Sequence, residues 1–158
     1  MPRTVIADTS CLIVLTNIGE LELLRKIYGN IVTTRYVAAE YDEPLPEWIE
    51  ITPVADSRKQ QLLEFQLDPG ESSAIALALE TPDSTIILDD YKARKIAAQL
   101  GLSYTGTIGV IIRAKLRGVI PTVRPLLAKI KQTNFHLSVE LEQQALSLSG
   151  EWAASGNH

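Results

Sequence analysis

The sequence has very few of the side chains that form disulfides or bind zinc. Cys11 is the only cysteine among the 158 residues, and His136 and His158 are the only histidines. A single thiol excludes a disulfide within the chain, and one cysteine with two scattered histidines does not supply the ligands of a usual zinc site. Because Cys11 lies in an apolar run, we expect a buried thiol in a reducing compartment.

Long apolar runs are also missing. No segment approaches the roughly 20 apolar residues that span a bilayer, and too few apolar residues precede Asp8 to form a signal peptide. We therefore expect a cytoplasmic protein. Apolar residues make up 46% and charged residues 22% of the chain, which is typical of one globular domain. We predict a single domain over residues 1–149 and a disordered tail over residues 150–158.

Acidic residues are absent from a long internal segment. Residues 91–139 contain nine basic residues and no acidic one, whereas residues 1–90 contain 16 acidic and six basic residues. The formal net charge of −4 conceals this asymmetry. An acidic half can hold cations and a basic half can bind an anionic polymer, a combination that a metal-dependent nuclease needs. The basic residues could equally coat solvated helix faces, and composition alone leaves that alternative open.

Strand and helix patterns alternate along the chain and predict the fold. The run Thr85-Ile86-Ile87-Leu88 is typical of a strand that is buried on both faces of a parallel sheet. Strands are predicted at residues 4–7, 31–33, 49–54, 85–88 and 102–104, with amphipathic helical segments between and after them. This alternation indicates an α/β protein, a three-layer α/β/α sandwich with a mainly parallel central sheet.

Acidic residues follow two of the predicted strands directly. Asp8 comes after the first strand, and the adjacent Asp89 and Asp90 come after the fourth. The carboxyl ends of parallel strands meet at one edge of a sheet, where α/β proteins bind their ligands. Glu40 on the third predicted helix and Glu71 at the start of a later one add two carboxylates. Mg²⁺ and Mn²⁺ prefer such oxygen ligands, so we predict a divalent-metal site at this edge.

Each of these acids also has a purely structural interpretation. Asp8 and Asp90 stand where an N-cap is expected, and Glu71 would complement the dipole of a first helical turn. Glu40 could be an ordinary solvated charge on a helix. Since only one of two adjacent aspartates can cap the following helix, either Asp89 or Asp90 could face a metal ion.

The ordered set of these residues resembles the PIN domain, and most closely its VapC-like toxin nucleases of type II toxin–antitoxin pairs. The resemblance covers roughly residues 3–130. It is carried by the segments Val5-Ile6-Ala7-Asp8-Thr9-Ser10, Gly70-Glu71-Ser72-Ser73-Ala74, Leu88-Asp89-Asp90 and Thr105-Gly106-Thr107, together with Glu40.

The resemblance implies an RNA-cleaving hydrolase with one or two Mg²⁺ or Mn²⁺ ions, a small antitoxin partner and a homodimer. Asp8, Glu40, Glu71 and Asp89 would take the positions of the four catalytic acids. Two features depart from the family pattern. Glu71 is one methylene longer than the aspartate that is frequent at the third position, and Leu88 stands where the family usually has a Thr-Arg or similar pair.

A mechanism follows from these assignments. A metal ion held by Asp8 and by Asp89 or Asp90 would activate water and polarise the scissile phosphate, while Glu40 or Glu71 orients that water. Hydroxyl and basic side chains would bind the phosphate backbone of RNA, whose contacts give affinity but no sequence choice. The predicted substrate-binding residues are Thr9, Ser10, Lys92, Arg94, Thr107, Arg113, Lys115 and Arg117.

Two other classes of function fit parts of the pattern. A catalytically weak binding module would keep the fold and grip a small antitoxin or a second copy, through the apolar helices at residues 12–18 and 21–28. A receiver-like phosphoacceptor domain also places acids at strand ends. That pattern requires paired acids after the first strand, however, where this chain has Asp8 alone.

Overall fold

Strands and helices alternate in the computed structural model, which describes residues 2–151. The strands of this part of the chain are β1 (Thr4–Ala7), β2 (Asn30–Thr33), β3 (Ile49–Ile51), β4 (Ser84–Ile87) and β5 (Tyr104–Thr105). Its helices are α1 (Thr9–Asn17), α2 (Glu22–Ile27), α3 (Arg35–Tyr41), α4 (Ser57–Leu63), α5 (Pro69–Glu80), α6 (Tyr91–Gln99), α7 (Thr107–Leu116), α8 (Arg124–Lys131) and α9 (Val139–Leu148).

The sheet formed by the described residues is parallel throughout, with the strand order β3-β2-β1-β4-β5. β1 is central, because Ile6 pairs with Val32 of β2 on one side and with Ile86 of β4 on the other. The chain extends the sheet from β1 in one direction and then in the other, so a topological switch point lies between β1 and β4. Receiver-like domains have the order 2-1-3-4-5 instead, so the phosphoacceptor interpretation is wrong.

Helices cover both faces of this sheet. Successive residues of β1 point to opposite sides, so Val5 and Ala7 belong to one core cluster and Ile6 belongs to the other. Residues of α1, α2, α7, α8 and α9 fill the first cluster, and residues of α5 and α6 fill the second. The predicted three-layer α/β/α sandwich is therefore confirmed.

Helix α5 packs tightly in the interior and brings its first turn to the site described below. Residues 72–78 are all buried, and five of these seven are Ser or Ala. The hydroxyl of Ser72 donates to the Leu67 carbonyl, and that of Ser73 donates to the Gly70 carbonyl. Small side chains allow a close approach between helix and sheet. The start of α5 lies near the end of β1, because Asp68 and Glu71 line the same cleft as Asp8.

At its C-terminal end, the described chain continues two residues beyond the predicted domain, which ends at residue 149. Gly150 and Glu151 belonged to the predicted tail, yet Glu151 is held by several hydrogen bonds to α7 and to the segment before α8. The rest of the predicted tail, residues 152–158, lies outside the described residues.

Within residues 2–151, every helix is too short or too polar to cross a membrane. The predicted burial of Cys11 is confirmed.

Candidate active site

A cleft of about 430 Å³ lies at the carboxyl edge of the sheet, next to the end of β1. Four acidic residues line it: Asp8 after β1, Glu40 on α3, and Asp68 and Glu71 at the start of α5. Residues 133–135, between α8 and α9, form part of the opposite wall. Three of the four predicted catalytic acids therefore share one cleft, although they are far apart in sequence.

Asp8 is the most deeply buried of these acids. Its side chain is only 4% exposed, and its Oδ1 has no hydrogen-bond partner within residues 2–151. Although Asp8 occupies the N-cap position of α1, the side chain makes no capping hydrogen bond. Burial raises the pKa of Asp8 to about 7, and the negative charges of Glu71, Asp68 and Glu40 add to the shift. Helix capping therefore does not explain this carboxylate.

Glu71 also lines this cleft. Its carboxylate is not needed to cap α5, because Asp68 provides that cap. Asp68 Oδ1 accepts the backbone N–H of Glu71 at 2.8 Å, so the capping function of α5 belongs to Asp68. Burial raises the pKa of Glu71 to about 7, and the charges of Asp68 and Asp90 contribute to that rise. A carboxyl group with such a pKa can take up or release a proton near neutral pH.

Two residues, Thr9 and Gly70, set the position of Glu40 in the cleft. Its Oε1 accepts the Thr9 hydroxyl at 2.6 Å. The carboxylate also lies directly against Gly70, where a Cβ would overlap Glu40 Oε1 and would lie 2.7 Å from its Cδ. The absence of a side chain at Gly70 therefore makes room for Glu40 beside the first turn of α5.

Asp89 and Asp90 have different surroundings. Asp89 does not line the cleft itself but is joined to it by Ser10, whose hydroxyl donates to Asp89 Oδ2 at 2.8 Å. Thr107 donates its hydroxyl to Asp89 Oδ2 at 2.5 Å and its backbone N–H to Oδ1 at 2.8 Å. Asp90 caps α6, because its Oδ2 accepts the Ala93 N–H at 2.9 Å. The hydroxyls predicted to bind substrate thus hold carboxylates in place in this structure.

The predicted basic residues divide between two edges of the sheet. Lys92 and Arg94 lie in the first turn of α6, next to the carboxylates, and Arg94 lines a second pocket together with Asp89. Arg113 and Arg117 lie at the C-terminal end of α7, where Arg113 hydrogen-bonds the hydroxyl of the buried Tyr28 at the end of α2 and the positive charge of Arg117 also favours its ionised form. The structure therefore places only the first pair near Asp89 and Asp90, and neither residue of that pair lines the acidic cleft.

Sequence reasoning missed two contributors to the cleft. Asp68 follows none of the predicted strands, although an acid three residues before Glu71 at a helix start indicates a second carboxylate nearby. The loop at residues 133–135 carries no acidic pattern, and only the packing of α8 and α9 places it here.

The donor atoms of the cleft fit a hard divalent cation, but they do not form a finished coordination group. All of its candidate ligands are carboxylates, and the unpartnered Oδ1 of Asp8 is suited to a positive charge. Nevertheless, the described part of the chain contains no group of three or more His, Cys, Asp or Glu side chains that could hold a metal ion as they stand. Side-chain rearrangement would have to accompany metal binding.

Comparison with known families decides the classification. The model of the DUF3368 family, described as a PIN domain, matches residues 4–151, which is nearly the whole chain. The chain belongs to the PIN-domain family. PIN domains are generally nucleases and typically depend on divalent metal ions. Neither the curated proteins nor the solved structures contain a match to this PIN-domain chain.

Proposed function

We propose that this PIN-domain protein is a Mg²⁺- or Mn²⁺-dependent endoribonuclease that hydrolyses phosphodiester bonds. The observation that carries the proposal is the state of Asp8, a buried carboxylate with an unpartnered oxygen and a pKa raised to about 7. A negative charge on this buried carboxylate destabilises the folded protein unless a cation binds beside it. We propose Asp8 and Asp89 as the principal metal ligands, with Asp90 as the alternative to Asp89.

The other side chains of the cleft have distinct roles in this proposal. A bound divalent ion would lower the pKa of a water molecule and polarise the scissile phosphate. Glu71, with a pKa of about 7, would exchange a proton with the attacking water near neutral pH. Glu40, held by Thr9, would orient that water, while Ser10 and Thr107 fix the orientation of Asp89.

The choice of RNA and the biological role rest on the resemblance to VapC-like toxins. Lys92 and Arg94, which lie beside the acids, would neutralise phosphates of the RNA backbone. The protein would then be the toxin of a toxin–antitoxin pair, active in the cytoplasm as a homodimer and inhibited by a small antitoxin protein. Expression of the wild-type chain should arrest growth, and expression of Asp8→Asn should not.

A cleavage assay tests the enzymatic proposal directly. Full-length protein should cleave labelled RNA with Mg²⁺ or Mn²⁺ and lose all cleavage in excess chelator. Asp8→Asn and Asp89→Asn should each reduce the rate by roughly 100-fold or more, since removing a charged group from such a site costs several kcal/mol. Asp56→Asn is the matched control, because Asp56 caps α4 and does not line the cleft. Cleavage that persists in chelator would refute the proposal.

The binding-module alternative is favoured by one observation. No metal-binding group of three or more candidate side chains is already assembled in residues 2–151. If Asp8→Asn and Asp89→Asn leave both RNA cleavage and growth arrest unchanged, the chain acts by holding a partner rather than by catalysis.

A further inference from the structure

A second pocket, of about 500 Å³, lies beside Asp89 on the side away from the acidic cleft. Its walls come from the first two turns of α6 and from the edge strand β5. Besides Asp89 and Ala98, it is lined by Tyr91, Arg94, Lys95 and Tyr104, and we refer to these four residues as the aromatic–basic pocket.

Aromatic rings are exposed in this pocket to an extent that core packing does not explain. Tyr91, the first residue of α6, is 80% exposed, and Tyr104 on β5 is 36% exposed. The Arg94 guanidinium lies 5.0 Å from the centroid of the Tyr104 ring. Tyrosine rings and a guanidinium held over such a ring both offer flat faces on which a nucleobase can stack.

The positive charges of the pocket form no salt bridge in the part of the chain that the structure describes. Arg94 and Lys95 take part in none of the ion pairs found in the described residues. Arg94 nevertheless comes close to Asp89, because Gly106 has no side chain to separate them. A Cβ at Gly106 would lie 3.0 Å from Asp89 Oδ1 and 3.5 Å from Arg94 Nη1. A cation that could bind phosphate thus lies next to a proposed catalytic carboxylate.

We infer that the aromatic–basic pocket binds an unpaired nucleotide of single-stranded RNA and so sets the position of the strand relative to Asp89. This inference rests on the proposed nuclease function and adds to it a binding site for one nucleotide of the RNA. The base stacks on Tyr91 or on the Arg94–Tyr104 pair, and the adjoining phosphates contact Arg94 and Lys95. Bases within a duplex are already stacked on their neighbours, so this mode of binding selects single-stranded RNA.

Binding without cleavage tests the inference. Full-length protein in EDTA is titrated into two fluorescently labelled RNA octamers, oligo(A) and an abasic chain of the same length and charge. Wild-type protein should bind oligo(A) about tenfold more tightly than the abasic chain, a difference within the range of base–aromatic stacking. At least one of Tyr91→Leu and Tyr104→Leu, the variant that removes the stacking ring, should lose most of this preference, whereas Tyr91→Phe and Tyr104→Phe should keep it. Arg94→Ala should weaken binding to both octamers.

Arg25→Ala is the matched control for Arg94→Ala. Arg25 also lies over an aromatic ring, that of Trp48, but on α2 and outside both pockets, so its loss should change neither affinity. The inference is overturned if the leucine variants bind both octamers as the wild type does, or lose both affinities equally. The cleavage assay is separate. Base-dependent binding without metal-dependent cleavage would refute the nuclease proposal alone, and cleavage without base-dependent binding would refute only the role of this pocket.

Discussion

At the scale of single residues, Asp8 makes the stability of the folded protein depend on pH. Below its usual pKa of 3.8, Asp8 is protonated in both the folded and the unfolded chain. As the pH rises, the unfolded chain releases this proton first, while the folded protein keeps it until about pH 7. The favourable contribution of protonated Asp8 is therefore complete below pH 3.8 and is lost as the pH rises to about 7.

Asp8→Asn should therefore stabilise the metal-free protein more at pH 8 than at pH 5. The stabilisation by Asp8→Asn should be roughly 2–4 kcal/mol larger at pH 8 than at pH 5, because a shift of one pKa unit corresponds to about 1.36 kcal/mol. Urea unfolding in EDTA at the two pH values measures it. Any fixed cost of burying the asparagine amide cancels in the comparison. An equal effect of the substitution at both pH values would mean that Asp8 titrates normally.

Gly70→Ala tests the position of Glu40. The new methyl group would occupy the space of the Glu40 carboxylate and break its hydrogen bond with Thr9. Cleavage should fall by roughly 10- to 100-fold, the usual effect of displacing a group by about 1 Å. Stability should hold or rise slightly, since alanine favours a helix more than glycine does. Gly29→Ala is the control, because a Cβ there meets nothing within 4 Å. Equal cleavage by both variants would contradict a role for Glu40.

At the scale of elements, the capping of α6 distinguishes Asp90 from the adjacent Asp89. Asp90→Asn keeps a good capping side chain and removes only the charge, so stability and cleavage should stay near wild type. Asp89→Asn should lose cleavage. Asp90→Ala should lower the free energy of unfolding by about 1 kcal/mol, and Asp56→Ala, which removes the cap of α4, should also lower it. Thermal unfolding and the cleavage assay together measure these effects. Loss of cleavage in Asp90→Asn would identify Asp90 as the metal ligand.

The limits of individual elements show what local sequence can predict. β1 has the predicted bounds, because a short apolar run between Arg3 and Asp8 has clear ends. β3 ends at Ile51 rather than at residue 54. Thr52 N–H still donates to the Thr33 carbonyl at 2.8 Å, but β2 itself ends at Thr33, because Thr34 is the N-cap of α3, so β3 has no strand to pair with beyond this point.

At the scale of the whole molecule, Glu151 joins parts of the chain that are distant in sequence. Its carboxylate, only 10% exposed, accepts hydrogen bonds from Thr122, the Val123 N–H and Lys115. Burial alone would raise the pKa of Glu151, but these hydrogen bonds and the Lys115 charge outweigh it and lower the pKa. The contribution of Glu151 to stability is therefore complete above its usual pKa of 4.5 and is lost as the pH falls through the lower folded value.

Glu151→Ala should lower the free energy of unfolding at pH 7 by about 1–3 kcal/mol, because it leaves the Val123 N–H and the Lys115 ammonium without this partner. Urea unfolding measures the loss, which should shrink at pH 3. Glu140→Ala, at an exposed position of α9, should change stability by less than about 0.5 kcal/mol. Equal stability of the two variants would contradict the assigned role of Glu151.

The convergence of the acids was predictable only in part. A parallel sheet with acids after two strands indicates that Asp8 and Asp89 meet at one edge, and the structure places both there, linked by Ser10. Helical periodicity does not reveal which way a helix runs across the sheet. The position of Arg113 beside Tyr28, at the far end of α7 from the acids, therefore could not be derived from local patterns.

The central position of β1 has a consequence for local dynamics. Its backbone is hydrogen-bonded to a strand on each side, and its side chains lie in both cores. Amide hydrogens of Val5, Ile6 and Ala7 should thus be among the slowest to exchange with solvent, since they open only when the molecule unfolds globally. Asp8 follows directly on this rigid segment, whereas Tyr91 and Tyr104 lie near the periphery. Tyr91 and Tyr104 would then move to adapt to different RNA strands, while the backbone that carries Asp8 stays fixed.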